Sequence, residues 1–188
     1  MPHPLIVAMT GASGAYAAEL LIKKSPWPVQ LIASKWAREI YAHECGPFAA
    51  LEKSADQVFD NADMMAPPAS GSVPTAGMVV LPCSANTLGR IAAGLGGTLI
   101  ARAAHCHLKE RRPLVLGLRE TPLTAIDLKN AATLANAGAT IMPLSPPFYM
   151  FKERSPQEIS LHEVMAAYVD RILSLLGKPL EKTWEDIS

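Results

Sequence analysis

Short apolar runs alternate along this chain with longer segments in which apolar residues recur every three or four positions. The short runs are rich in Val, Ile and Leu and are bounded by Pro or Gly, which is typical of strands buried on both faces. They predict five strands, at residues 5–9, 29–33, 77–82, 113–118 and 139–142. The longer segments predict amphipathic helices between them, at residues 15–23, 35–43, 86–93, 98–109 and 124–137.

This alternation predicts the fold class. A strand, a helix and a parallel strand form a right-handed crossover, so the pattern predicts an α/β fold with an open, doubly wound parallel sheet between two helical layers. A further helix at residues 158–176 carries an apolar stripe, which is typical of a core face or a subunit contact. We expect one domain over residues 1–177 and a polar tail over residues 178–188.

The composition narrows the class of protein. At 188 residues the chain is long enough for one domain with a sizeable core. Its 17 basic and 17 acidic residues cancel, which argues against nucleic-acid binding, since that function needs a basic surface. No apolar run approaches the length of a membrane span and no signal peptide is recognisable, so we expect a cytoplasmic protein.

The three cysteines, Cys45, Cys83 and Cys106, predict neither a disulfide framework nor a metal site. Their number is odd and no C-x-x-C motif occurs, so we expect reduced thiols. Cys106 is flanked by His105 and His107, but adjacent residues on a helix point in different directions. We therefore expect a packed helix at this point and no metal.

The turn after the first predicted strand is a candidate anion-binding site. Gly11, Ala12 and Ser13 are small residues between a buried strand and a helix start, so backbone N–H groups and the helix N-terminus can both face a ligand. The turn is neither a G-x-G-x-x-G fingerprint nor a P-loop. Taken alone, it is equally well interpreted as an ordinary βα turn.

Small or polar residues also follow the other predicted strands. Because the carboxyl ends of parallel strands meet at one edge of the sheet, we expect these residues to line one crevice. Hydroxyl groups, helix N-termini and a cation in one crevice indicate a phosphorylated, partly aromatic ligand. The residues concerned are Ser34, an expected helix N-cap, the turn Ser84-Ala85-Asn86-Thr87, Arg119 with Glu120, and Phe148 with Tyr149.

Several segments together resemble the UbiX-type flavin prenyltransferase family, over about residues 4–177. The most distinctive of them is the basic stretch at residues 108–113, which leads through an apolar strand to Arg119-Glu120-Thr121-Pro122. The other segments that carry the resemblance are residues 9–14, 34–37, 66–72, 82–84 with Thr87, 102–104 and 147–149.

The resemblance implies a flavodoxin-like, Rossmann-like fold in homo-oligomers, typically dodecamers, with FMN at the subunit interface. The implied activity is the transfer of a dimethylallyl group from dimethylallyl phosphate to N5 and C6 of reduced FMN, without a metal. The prenylated FMN then serves as the cofactor of UbiD-type decarboxylases. The resemblance leaves open whether the donor is a monophosphate or a pyrophosphate.

The same resemblance assigns roles to residues at matching positions. Ionisation of an allylic phosphate builds negative charge on the leaving group, which cations can stabilise in a site poor in water. Glu44, Glu120 and Lys109 match catalytic residues, and Glu120 can orient cations or remove the final proton. Residues that match the isoprenoid phosphate site are Arg102, Lys109, Tyr149 and Arg171. Residues that match the FMN contacts are Gly11, Ala12, Ser13, Ser34, Ser84, Ala85, Asn86, Thr87 and Arg119.

Two other functions compatible with this fold remain open. A cysteine-type oxidative decarboxylase shares the turn at residues 84–87, but it needs a central His and a Pro-x-Met-Asn segment. Residues 46–104 contain no His, and Met142-Pro143 is not followed by Asn. In a non-catalytic FMN-binding or regulatory subunit, Arg102, Lys109 and Glu120 would form an ordinary surface salt-bridge set. The segment at residues 150–156 is longer than in the family and could reshape the isoprenoid pocket.

Overall fold

A single parallel sheet of six strands organises the computed structural model, which describes residues 2–145, 148–151, 154–180 and 185. The strands are β1 (Leu5–Met9), β2 (Val29–Ala33), β3 (Gln57–Asp60), β4 (Gly77–Cys83), β5 (Leu114–Leu118) and β6 (Thr140–Ile141). Their spatial order is β3-β2-β1-β4-β5-β6, and every neighbouring pair is parallel. The predicted doubly wound α/β fold is confirmed.

Helices connect the strands on both faces of this sheet. Within the described ranges they are α1 (Ala15–Lys24), α2 (Lys35–Glu44), α3 (Phe48–Glu52), α4 (Ala85–Ala92), α5 (Leu99–Lys109), α6 (Ala125–Asn136) and α7 (Leu161–Leu175). Short 3₁₀ turns occur at Pro67–Ala69, Phe148–Phe151 and Pro156–Glu158. None of the described helices is both long and apolar enough to cross a membrane.

Side-chain caps explain where most of these helices begin. Ser34 at the start of α2 accepts a hydrogen bond from the backbone N–H of Ala37, so the expected N-cap is confirmed. Ser84 and Thr98 cap α4 and α5 in the same way. Reciprocal capping boxes, Thr124 with Asp127 and Ser160 with Glu163, begin α6 and α7.

The two faces of the sheet bury separate hydrophobic clusters. Alternate residues of β1 point to opposite faces, so Val7 belongs to the cluster under α1 and α7, whereas Ile6 belongs to the cluster under α4, α5 and α6. The part of the α7 stripe from Tyr168 to Leu173 is buried in the first cluster, where the hydroxyl of Tyr168 donates to the carbonyl oxygen of Met142 at 2.8 Å. This part of the apolar stripe is therefore a core face, whereas Leu161 at the start of the helix is exposed.

The strand order places a topological switch point between β1 and β4. From β1 the chain proceeds to β2 and β3 on one side, and then crosses to β4, β5 and β6 on the other. Helices α1 and α4 therefore leave the sheet toward opposite faces and open a crevice at the carboxyl ends of their strands. This crevice is the place where ligands of such sheets bind.

The sequence pattern missed β3 and α3. Three of the four residues of β3 are exposed, because β3 is an edge strand that pairs only with β2 in the described sheet. Its sequence, Gln-Val-Phe-Asp, therefore lacks the apolar run by which the central strands were recognised. Of the proposed tail at residues 178–188, residues 181–184 and 186–188 lie outside the described residues.

Candidate functional site

A cavity of about 460 Å³ opens at the switch point, at the carboxyl ends of β1, β2 and β4. This volume lies in the range usual for small-molecule and cofactor sites. The predicted residues that line it are Gly11, Ser34, Ser84, Ala85, Asn86, Thr87 and Glu120. Residues that line it but were not predicted are Thr10, Trp36, Asn61, Arg90, Thr98 and Ile100.

The N-terminus of α4 supplies anion-binding groups to this cavity. Ser84 is extended at its N-cap position, and its hydroxyl oxygen accepts a hydrogen bond from the N–H of Thr87 at 3.3 Å. The first N–H groups of a helix have no partner within the helix, and the helix dipole makes this end positive. Ala85 and Asn86 therefore present N–H groups suited to a phosphate.

Thr10 joins the first βα turn to the start of α4. Its Oγ1 donates a hydrogen bond to the carbonyl oxygen of Pro82 at 2.8 Å and accepts one from the N–H of Ser84 at 2.8 Å. The residue is 2% exposed. Its hydroxyl thus holds both ends of the β4–α4 turn against the end of β1.

The N-terminus of α1 differs from the expected anion site. The carboxylate of Glu44 accepts hydrogen bonds from the N–H of Gly14 at 2.9 Å and from the N–H of Ala15 at 2.8 Å. Gly14, with a φ of 92°, has no side chain that could cap the helix. Glu44 therefore provides the negative charge that the sequence analysis expected from a ligand at this end.

Ala12 and Ser13 lie in the turn between β1 and α1. The N–H of Ala12 donates to the carbonyl oxygen of Thr10 at 2.8 Å, so it is used within the turn.

Glu44 lines a second cavity, of about 640 Å³, next to α7. The structure therefore brings Gly11 to the first cavity and Glu44 to the second.

Arg119 and Glu120 follow β5 at the same edge of the sheet. The N–H of Arg119 donates to the carbonyl oxygen of Cys83, which fixes this turn beside α4. Glu120 lines both the first cavity and a smaller one of about 130 Å³. Arg119 lines only the smaller cavity, together with Pro143 and Leu144. Among the described residues that line the first cavity, Arg90 is the cation and Glu120 the carboxylate.

Arg102 and Lys109 lie along α5 and make contacts away from the first cavity. The Nε of Arg102 donates to the carbonyl oxygen of Ala69 at 3.0 Å, and Lys109 pairs with Glu110 at 3.0 Å. Ile100 lines the cavity at the start of this helix, and Lys109 is about 14 Å farther along its axis. One chain alone therefore does not bring Lys109 to the cavity.

Tyr149 lies in a 3₁₀ turn that follows β6 in the chain, and Arg171 lies on α7, which packs on the face of the sheet opposite to α5. Tyr149 is 43% exposed in the 3₁₀ turn Phe148–Phe151, and Arg171 is exposed on α7, where it donates to Ser174 at 3.2 Å. Pro147 of the matched motif, and Lys152 and Glu153 of the longer segment, lie outside the described residues.

The residues that the sequence analysis missed had weak sequence signals. Asn61 follows the unrecognised strand β3, and its Oδ1 accepts a hydrogen bond from the N–H of Ile100 at 3.0 Å. Trp36 stands two residues after a recognised N-cap, and it lines the cavity with its side chain mostly exposed. A Cβ at Gly11 would lie 2.8 Å from the Cβ of Trp36, so this close approach requires glycine.

The cysteines are free thiols, as expected. Burial raises the pKa of Cys83 to about 12, and burial together with Glu19 and Glu44 raises the pKa of Cys45 to about 11. Both side chains are therefore protonated thiols at neutral pH, and neither is an activated nucleophile.

Comparison with known proteins identifies the family. The flavoprotein family model matches residues 1–173. The flavin prenyltransferase UbiX of Deinococcus radiodurans is 41% identical over 180 residues, which cover 94% of this chain and 89% of that protein. The crystal structure of AnUbiX (PadA1) in complex with FMN and dimethylallyl pyrophosphate is 37% identical, with a TM-score of 0.90 over 98% of each chain.

A dodecameric FMN-dependent UbiX-like decarboxylase from Escherichia coli O157:H7 is also similar. It is 35% identical and has a TM-score of 0.87, over 96% of this chain and 98% of that one. The chain therefore belongs to the flavoprotein family and, within it, to the UbiX flavin prenyltransferases.

Proposed function

We propose that this chain transfers a dimethylallyl group from dimethylallyl phosphate to reduced FMN. The observation that carries the proposal is the cavity at the switch point, where the N-terminus of α4, Ser34 and Glu120 converge. It combines an anion site with a carboxylate in a crevice of cofactor size. The relative that was solved with FMN and dimethylallyl pyrophosphate has the same fold at 37% identity.

FMN fits the donors of this cavity best with its phosphate at the start of α4. The N–H groups of Ala85 and Asn86 and the hydroxyls of Ser34 and Thr87 are suited to phosphate oxygens. Helix α1 is less suited, because Glu44 already occupies its N-terminus and would repel an anion. Gly11, Ala12, Ser13 and Arg119 would then contact the rest of the cofactor.

The chain's own residues would assist ionisation of the allylic phosphate. When bound and reduced, FMN supplies the acceptor atoms N5 and C6. Arg102, Lys109 and Arg171 are the cations proposed to stabilise the leaving phosphate, and Tyr149 is proposed to donate a hydrogen bond to it. Glu120 would hold these cations in place and accept the final proton.

We further propose that the complete site forms between subunits of a homo-oligomer. Glu120 lines the cavity, whereas Lys109 lies at the far end of α5 of the same chain. Both residues can act on one substrate if Lys109 comes from a neighbouring subunit. A dodecamer is the proposed assembly, since one similar protein is dodecameric.

The remaining proposals concern the setting of this activity. Residues 1–177 would be the flavoprotein domain and residues 178–188 a tail, in a cytoplasmic enzyme that needs no metal. The prenylated FMN would pass to a UbiD-type decarboxylase. The donor is proposed to be the monophosphate, with the pyrophosphate as the alternative.

A specific observation favours a second candidate, a non-catalytic FMN-binding subunit. Lys109 pairs with Glu110, and Arg102 donates to the carbonyl oxygen of Ala69, so both cations already have partners within the chain. In a purely binding protein these contacts would be their whole role. The other alternative, a cysteine-type decarboxylase, would need a His within residues 46–104 and a Pro-x-Met-Asn segment, which this sequence does not have at those positions.

Single-turnover absorbance measurements distinguish the two candidates. The protein is loaded with FMN, reduced without oxygen and mixed with dimethylallyl phosphate or dimethylallyl pyrophosphate. A prenyltransferase changes the flavin spectrum with a donor and not without one, and we expect the faster change with the monophosphate. A binding subunit gives the same spectrum in all three samples, and that result would refute the proposed activity.

A further inference from the structure

The hydroxyl of Thr10 both donates and accepts a hydrogen bond, next to the cavity in which FMN is proposed to bind. It donates to the carbonyl oxygen of Pro82 and accepts from the N–H of Ser84, each at 2.8 Å. These two groups flank the β4–α4 turn, more than 70 residues along the chain from Thr10. A methyl group in place of this hydroxyl would leave the N–H of Ser84 without a partner, whereas the carbonyl oxygen of Pro82 would keep the backbone N–H of Thr10, which donates to it at 3.2 Å.

We propose that Thr10 is a positioning residue for the phosphate of FMN. The hydrogen bond from the N–H of Ser84 to Thr10 fixes the backbone of this N-cap residue. The hydroxyl of Ser84 in turn accepts a hydrogen bond from the N–H of Thr87. This arrangement holds the first N–H groups of α4 toward the cavity. Thr10 thus acts through Ser84, and the N–H and hydroxyl groups at the start of α4 make the direct contacts to the phosphate.

This role rests on the proposed function and differs from a purely structural one. If Thr10 only stabilises the fold, loss of its hydroxyl weakens the binding of FMN and of riboflavin equally, because both ligands need the folded cavity. If Thr10 positions the phosphate site, loss of its hydroxyl weakens the binding of FMN and leaves the binding of riboflavin unchanged, because riboflavin has no phosphate. The ratio of the two dissociation constants therefore reports the positioning role alone.

The experiment measures dissociation constants for FMN and riboflavin with the full-length protein and its variants. Thr10→Val keeps the shape of the side chain and removes the hydroxyl, whereas Thr10→Ser keeps the hydroxyl. Tyr168→Phe is the matched control, since it removes a buried hydroxyl that donates to the carbonyl oxygen of Met142, within the cluster under α1 and α7. Unfolding in urea without ligand records the effect of each change on stability.

We expect Thr10→Val to raise the dissociation constant for FMN about tenfold or more and to keep that for riboflavin within about twofold of the parent value. Thr10→Ser should recover most of the preference for FMN, and Tyr168→Phe should keep that preference while it lowers stability. If Thr10→Val does not fold, Thr10→Cys takes its place, because a thiol is a weaker donor and acceptor.

The possible failures are distinguishable. If the parent protein prefers FMN over riboflavin and the hydroxyl-deleted variant keeps that preference, the positioning role is refuted and the proposed cofactor site stands. If the parent binds FMN no more tightly than riboflavin, the proposed phosphate site fails, and the role of Thr10 fails with it.

Discussion

The carboxylate of Glu44 accepts a hydrogen bond from the backbone N–H of Ala15 at 2.8 Å. This contact joins the last residue of α2 to the first residue of α1, 29 positions earlier in the sequence. The contact provides an N-terminal cap that Gly14 cannot supply. Helix α1 is therefore closed by the chain itself, whereas the N-terminus of α4 remains suited to a ligand.

Replacement of Glu44 should separate a capping role from a catalytic role. Glu44→Ala removes the acceptor and should lower the free energy of unfolding by about 1 kcal/mol, the usual value of a helix cap. Glu44→Gln keeps an acceptor and should lower it less. Urea unfolding of the two variants measures this difference. If Glu44→Gln is stable and holds FMN but loses prenylation, the residue is also catalytic; equal stability of Glu44→Ala and the parent would contradict the capping role.

A negative charge at the start of α4 should expel FMN. Ser84→Asp places a carboxylate beside the proposed phosphate, while Asp remains a good N-cap, so the helix itself should persist. Ser84→Asn is the matched control, because it has the same shape and caps equally well without charge. We expect at least about a hundredfold weaker FMN binding in the Asp variant than in the Asn variant. Equal affinities by flavin fluorescence titration would exclude the phosphate from this position.

Substitutions of Glu120 and Lys109 test the proposed chemistry. Glu120→Gln and Lys109→Ala should each slow prenylation by about two to four orders of magnitude, because each removes a preorganised charge from the reaction. FMN affinity should stay close to that of the parent. Lys129→Ala on the exposed face of α6 is the matched control and should keep the parent rate. Rates for the first two variants within about threefold of the parent would show that neither charge assists the reaction.

Mixed oligomers of these two inactive variants test whether the site is shared between subunits. Lys109 lies about 14 Å along α5 from the cavity that Glu120 lines, so one subunit alone cannot supply both groups. In a mixture, some sites combine an unaltered Lys109 from one subunit with an unaltered Glu120 from its neighbour. Activity should therefore reappear in doubly tagged mixed assemblies, and it should be absent from an oligomer in which every subunit carries both substitutions. Mixed assemblies without activity would show that the site is not shared.

Sequence reasoning predicted the part of the fold that rests on burial. The strands β1, β2 and β4 were recognisable because every residue in them is buried, which demands an uninterrupted apolar run. Strand β3 was missed because its edge position leaves most of its side chains in water. Asn61 was missed with it, since a residue at a strand end can be assigned to the crevice only when the strand is recognised.

The candidate site was predictable only where it follows from local sequence. Ser34 and the turn at residues 84–87 begin helices after buried strands, so their position at the cavity followed from the topology. The contact between Glu44 and the start of α1 depends on how two helices pack, and no local pattern reports it. The distance of Lys109 from the cavity likewise follows from the direction of α5 and not from the motif that contains Lys109.

His107 should make stability depend on pH. Its ring is buried, with Nδ1 donating to the carbonyl oxygen of Ala103 and Nε2 at 2.8 Å from the hydroxyl of Thr75. Burial, with a contribution from Arg112, lowers its pKa below the ordinary value of 6.5. The unfolded chain then binds a proton that the folded chain does not, and stability is lost as the pH falls from 6.5 toward the lowered folded value.

Urea unfolding of the parent and of His107→Gln at about pH 5 and about pH 8 measures this effect. The parent should lose more stability between the two conditions than the variant, in which this titrating group is absent. The same pH dependence in both proteins would show that His107 is not responsible for it.

The mass of the flavin released after the reaction shows directly whether the protein prenylates FMN. The FMN-loaded protein is reduced without oxygen, incubated with dimethylallyl phosphate and denatured, and the flavin is then analysed by mass spectrometry. We expect FMN that has gained one dimethylallyl group, formed by the parent and not by Lys109→Ala or Glu120→Gln. Recovery of unmodified FMN from parent protein that held it throughout would contradict the proposed prenyltransferase activity.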